Sequence, residues 1–310
     1  MEIDGGRMRY LRTGPAQYPL LAKDARSGAP TPGSWAPAVG TGARSSRPLI
    51  LLHGLLGYSF SWRFALPALA PYAAVYAPDM MGAGFSDRVP GIDYTMRGTA
   101  RRVLRFIEGL GFSSSEFDLL GTSHGGAVGM FAAAECLRGK SRLRVRRLVL
   151  VAPVNPFSAH GKWMAPFFGS DLGAGLFRLS IARMNFLYPY WHARMFGDRS
   201  RIPPGTIEGY LAPMAKPDLF EHALSIVRSW TADLRDLEAT LPELAGIPMF
   251  LMWGSKDSAV YASSAEPLRK YFPNSRLIVF PGVGHLPYEE CPEEFNGALI
   301  EYLTSEKIAA

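Results

Sequence analysis

Short apolar runs closed by turn residues recur along the chain: "PLILLHG", "AAVYAPDM", "EFDLLGTS", "RRLVLVAP", "PMFLMWG" and "RLIVFPG". No polar alternation breaks them, so they read as strands buried on both faces. Between them lie stretches of helical period. In "TMRGTARRVLRFIEGLG", Val103, Leu104, Ile107 and Leu110 share one face, and Arg101, Arg102, Arg105 and Glu108 take the rest. Alternation of doubly buried strands with amphipathic helices predicts an α/β fold, a mostly parallel central sheet with helices on both faces. The last helix has a readable start. Pro292 suits its first position, and Glu293 and Glu294 place negative charge where the helix dipole is positive, with an end expected near Lys307.

Two segments break this rhythm. Residues 13–47 are rich in Pro, Gly, Ala and Ser without sustained period, and predict a long surface excursion. Residues 157–240 lack the strand pattern and are dense in aromatics and methionines, as in "KWMAPFFG", "MNFLYPYWHARMFG" and "GYLAPM". Helical pieces inserted between two sheet strands predict a cap over the carboxyl ends of the strands. The expected division is therefore a core of residues 1–156 and 241–310 and a helical cap of residues 157–240.

Composition narrows the class. At 310 residues, 48% hydrophobic and 19% charged, the chain can bury a sizeable core as one domain with an insertion. The opening "MEIDGGRMRYLRTG" is charged where a secretory leader is apolar, and the longest apolar candidate, "FALPALAPYAAVYAP", is broken by prolines. A cytoplasmic protein without stable membrane insertion is expected. Two cysteines, Cys136 and Cys291, build neither a disulfide scaffold nor a four-ligand zinc site. The net charge of +6 gathers in "LRGKSRLRVRR", which has no interleaved aromatics and reads as a solvated helix-to-strand connection, so nucleic acid is not an expected partner.

The chemistry centres on "GTSHGGAV", residues 121–128, a G-x-S-x-G between the apolar run "FDLL" and the helical "AVGMFAAAECL". A strand-to-helix elbow strains the serine backbone and lifts its hydroxyl to a helix N-terminus, where backbone donors can hold an oxyanion. A glycine-rich packing loop has the same local spelling, so the partners must decide. A serine hydroxyl needs a base, and the base needs an acid that fixes its tautomer. Of six histidines, His53 and His124 sit in glycine motifs, and His160, His192 and His222 fall in the cap segment. His285, in "FPGVGHLPYEECPEEF", follows the final strand, and Asp257, in "FLMWGSKDSAV", follows the strand before it. Ser123, Asp257 and His285 thus each come just after a strand, at the sheet edge where function gathers. Gly54 in "LLHGLLG" lets the Leu55 N–H face the same point as the His124 N–H, and His53 reads as a structural hydrogen-bonding residue.

With "HG" after one strand, "DMMGAGFSD" (Asp79 to Asp87) after the next, and the elbow in register, the chain resembles the α/β-hydrolase fold family, in its capped, esterase-like serine hydrolase branch. The resemblance implies Ser123 as nucleophile, His285 as base, Asp257 as orienting acid and Leu55 and His124 as backbone oxyanion donors. Some relatives carry the acid after the strand ending "LVLVAPVNP"; that loop offers Asn155 here, which favours Asp257. Serine at the elbow argues against dehalogenases and epoxide hydrolases, which need a carboxylate there. The expectation is a carboxylic ester hydrolase acting on small to medium apolar small-molecule esters, with no cofactor or metal. Trp163, Phe167, Phe168, Phe186, Tyr188, Tyr190, Trp191 and Met195 are its candidate pocket residues. The alternative is a hydrolase of carbon–carbon bonds in ring-cleavage diketones. Amide or N-terminal-proline peptide hydrolysis, perhydrolase activity and a non-catalytic binding protein are lesser readings. Oligomeric state is left open.

Overall fold

The computed structural model describes residues 1–14, 47–112, 114–158, 184–215 and 219–305, with a few isolated positions between 170 and 176. The excursion is therefore outside the described residues except at its two ends. All six apolar runs form strands: β4 (Pro48–Leu52), β5 (Ala74–Pro78), β6 (Glu116–Thr122), β7 (Arg144–Val151), β8 (Met249–Gly254) and β9 (Arg276–Phe280). With β3 (Tyr10–Thr13) they make a seven-stranded sheet of order β3-β5-β4-β6-β7-β8-β9. All neighbours are parallel except β3, which runs antiparallel to β5 at the edge. A hairpin of β1 (Glu2–Ile3) and β2 (Gly6–Arg7) precedes it. Its turn residues Asp4 and Gly5 both have positive φ, the geometry that an Asp-Gly pair accepts at low strain.

The strands are buried on both faces because successive side chains feed two cores. Ile50, Leu52, Leu119, Leu148, Leu150, Leu251 and Trp253 pack on one side with helices α2 (Met96–Gly109) and α3 (His124–Leu137). Leu49, Leu51, Leu120, Val149, Val151, Phe250 and Met252 pack on the other, against α1 (Ala65–Leu69) and the last helix, Pro292–Thr304, through Phe295, Leu299 and Tyr302. Helix α3 lies buried for most of its length.

Helix α2 starts where Thr95 Oγ accepts the Gly98 N–H at 3.0 Å. Its apolar face is as the period predicts, but Arg102 is not on the solvated side. It is 3% exposed and donates to the Asp93 carbonyl oxygen and to Thr99 Oγ. The basic run also departs from a merely solvated connection. Arg147 is buried and donates to the Leu303 and Ser305 carbonyls, Arg144 pairs with Glu116, and Arg138 with Glu243. Between β7 and β8 the described residues are helical and form the inserted cap, including Met184–Ala193, Thr206–Leu211 and the long Leu219–Thr240. No helix among the described residues is long and apolar enough to cross a membrane.

Candidate active site

Ser123 sits between β6 and α3 at φ 52°, ψ −121°, a conformation that L-residues adopt only when their surroundings hold them there. Backbone hydrogen bonds do so. The Ser123 N–H donates to Val151 O at 3.0 Å, and the Ser123 carbonyl accepts from Gly126 N–H at 3.0 Å and Val154 N–H at 2.9 Å. The glycines of the motif are required by space. A Cβ on Gly121 would overlap the Gly125 carbonyl, and one on Gly125 would overlap the His53 and Leu52 carbonyl oxygens. The spelling G-x-S-x-G thus closes a turn against the end of β4 and leaves Ser123 partly exposed at the carboxyl edge of the sheet.

Asp257 follows β8 and His285 follows β9, both at that same edge. The His285 Nδ1 lies 2.7 Å from Asp257 Oδ2. The other carboxylate oxygen, Oδ1, accepts the Ala259 and Val260 N–H groups, each at 2.8 Å. Two backbone donors therefore fix the carboxylate, the carboxylate fixes the proton on Nδ1, and Nε2 is left as the ring's lone-pair nitrogen. Both side chains are nearly sealed from solvent. No hydrogen bond joins Ser123 Oγ to His285 among the described residues.

Gly54 brings the loop after β4 against the serine: a Cβ there would stand 3.2 Å from Ser123 Cβ and 3.8 Å from Oγ. The Gly57 N–H closes a turn onto Gly54 O at 3.0 Å, with Leu56 at φ 58°. Neither the Leu55 N–H nor that of His124, which opens α3, donates a backbone bond among the described residues. His53 is committed elsewhere. Its Nε2 accepts the Met80 N–H at 2.9 Å, so the proton is on Nδ1, which meets Gly54 O at 2.8 Å. Burial lowers its pKa, and a neutral ring with both nitrogens engaged braces the loop.

The rings behind this loop are also uncharged. Burial pushes His124 and His222 down to about 3. With Gly54, Leu55 and Met80 they line a cavity of about 10 Å³, room for about one water-sized group. His124 Nε2, His222 Nδ1 and the Nε1 of Trp230, which stacks on His124, are buried without a hydrogen-bond partner among the described residues. His222 comes from the cap helix and fills a notch over Gly82, where φ is +91° and a Cβ would overlap the imidazole.

Of the candidate pocket residues, Trp163, Phe167 and Phe168 lie outside the described residues, as does the side chain of Phe186. Tyr188 is buried in a cluster with Tyr58 and Tyr210. Tyr190 and Trp191 are 55% and 53% exposed. Met195 packs at the rim, and its carbonyl accepts the His285 N–H at 2.6 Å. Sequence reasoning missed two acids after His285. Glu289 pairs with Arg63 at 2.7 Å and accepts the Tyr210 hydroxyl, while Glu290 accepts three backbone N–H groups. Their place before a helix offered no signal beyond dipole chemistry. Cys136 and Cys291 are free thiols whose pKa burial pushes up to about 12, which leaves them poor nucleophiles.

A parallel sheet with an inserted helical cap and polar side chains gathered at its carboxyl edge defines a hydrolase-type α/β scaffold. The family model described as "Alpha/beta hydrolase family" matches residues 49–298, and the chain belongs to that family. Its relatives are chemically varied. It is 28% identical over 261 residues to pimeloyl-[acyl-carrier protein] methyl ester esterase of Photobacterium profundum, covering 82% of this chain and 94% of that one. It is 26% identical over 267 residues to haloalkane dehalogenase 2 of Mycobacterium tuberculosis, covering 82% and 87%. Among solved structures it resembles the meta-cleavage product hydrolase CumD of Pseudomonas fluorescens, with TM-score 0.69 and 22% identity over 97% of this chain and 95% of that one.

Proposed function

We propose that this protein is a serine hydrolase that cleaves a bond to a carbonyl carbon. The observation that carries the reading is the 2.7 Å Asp257–His285 pair on the same sheet edge as the strained Ser123. Ser123 Oγ attacks the carbonyl, and His285 Nε2 takes its proton. Asp257 holds the imidazolium, and the Leu55 and His124 N–H groups receive the oxyanion. His285 then protonates the leaving group, and water releases the acyl group from Ser123. The serine and imidazole are required to meet when substrate binds, as such contacts tighten in the loaded site. The carboxylate nucleophile that dehalogenase and epoxide hydrolase chemistry requires has no counterpart at position 123.

The sequence puts esters first, and the site favours the other reading: a carbon–carbon bond hydrolase acting on a ring-cleavage diketone. Uncharged His124 and His222 nitrogens that have no hydrogen-bond partner among the described residues, beside the Leu55 loop, suit a substrate with oxygen atoms beyond the scissile carbonyl. The likeness to CumD supports the same class. Ester hydrolysis is the second reading, favoured by the methyl ester esterase relative.

A panel of p-nitrophenyl esters of graded chain length beside a dienoic ring-fission diketone separates the two. Turnover of the diketone well above every ester is expected, and a short-chain ester optimum with no diketone cleavage would reverse the order. Ser123→Ala should lower turnover by more than about 10⁴-fold while leaving the unfolding midpoint near wild type. Wild-type turnover in that variant would end the serine mechanism.

A further inference from the structure

Resting on the reading of His285 as the base, we propose that Glu290 is a positioning residue that fastens the His285 loop to the cap at Gly197 and Asp198. Glu290 is 5% exposed, and its carboxylate gathers three backbone donors from two distant segments. Oε2 accepts the Gly284 N–H at 2.7 Å and the Gly197 N–H at 2.9 Å, and Oε1 accepts the Asp198 N–H at 2.9 Å. Gly284 immediately precedes His285, so one carboxylate holds the base's own backbone and this stretch of the cap together.

The surroundings are built for this joint. The His285 N–H donates to Met195 O at 2.6 Å, and Ser258 Oγ, next to Asp257, donates to Arg194 O at 2.7 Å. The backbones approach too closely for side chains. A Cβ on Gly197 would overlap the Gly282 carbonyl oxygen, and one on Gly284 would overlap that of Met195. Without that acceptor the buried Gly284 N–H would be left unsatisfied, which is costly, and the partly buried Gly197 and Asp198 N–H groups would lose the partner that draws them to the His285 loop. An ionised carboxylate makes the stronger, charge-assisted bonds. Its effect on His285 is positional: a displacement of about 1 Å in a reacting group costs about 10²-fold in rate.

The test compares wild type, Glu290→Gln and Glu290→Asp in the full chain, reading kcat, KM, the rate of Ser123 labelling by a serine-directed phosphonate, and the unfolding midpoint. Glutamine keeps the size and sets an amide NH2 against a backbone N–H. The expected result is a fall of about 10²-fold in kcat and in labelling rate, with KM within about twofold. Aspartate, which keeps the charge but is one methylene shorter, should recover part of the loss, and it supplies the reading if Glu290→Gln does not fold. Folded variants with wild-type kcat and labelling would overturn the proposal, as would a loss confined to KM. Failure of the underlying reading looks different: wild type itself would then take no phosphonate on Ser123.

Discussion

At the scale of single residues, the site is a chain of constraints ending on one nitrogen. The Ala259 and Val260 N–H groups hold Asp257, and Asp257 holds His285 Nδ1. Asp257→Asn keeps the shape but offers its NH2 or its single carbonyl to the ring, so the proton can shift to Nε2, the nitrogen that accepts in the proposed mechanism. Turnover should fall by about 10⁴-fold with little change in folding, measured as kcat beside a thermal melt. A fall of less than tenfold would mean that another acid orients the ring. These residues were legible because each stands a few positions after an apolar run, among glycines that only a tight turn explains. Glu290 was not, because its partners Gly197 and Asp198 are more than 90 positions away and nothing local marks them.

At the scale of elements, the six apolar runs were legible as strands because a doubly buried strand spells itself without polar interruption. The short β1, β2 and β3 were not anticipated: β3 is a partly exposed edge strand with a mixed spelling, "YLRT". The Asp4-Gly5 pair was the one signal for the hairpin before it. Helix α2 misled at Arg102, whose charge is satisfied inside by a carbonyl and a hydroxyl rather than by water. The cap helix Leu219–Thr240 seats by inserting His222 over Gly82, a fit between two elements that neither spelling reveals. Gly82→Ala combines an unfavourable φ with an overlap on the imidazole. It should cost about 1–3 kcal/mol in urea unfolding. An unchanged midpoint would show that the helix does not sit in that notch.

At the scale of the whole molecule, buried histidines make stability depend on pH. His124 and His222 are held near 3 and His192 near 4, each chiefly by burial, against 6.5 for the free side chain. A depressed pKa means that the unfolded chain binds the proton first. The stability is complete above about pH 6.5 and drains as pH falls toward the folded values. Each such ring has lost about 2 kcal/mol by pH 5. Glu289, raised by burial despite Arg63, works in the opposite sense, so a difference between variants is the clean measure. Between pH 8 and 5, His222→Gln should lose about 2 kcal/mol less than wild type in urea unfolding. Parallel curves would place that ring in water.

The joint at residues 194–198 also bears on how such a molecule can be rebuilt. Read along the chain, the helical insert looks like a detachable module, open to exchange with that of a relative to alter what the protein accepts. Its middle, however, is stitched by Arg194, Met195, Gly197 and Asp198 into the loops of Asp257 and His285. A chimaera that takes the donor's residues across that seam discards the recipient's own mount for its imidazole. The transplant must keep the recipient's residues 194–198, and whatever new chamber it brings has to be sewn to that old hem.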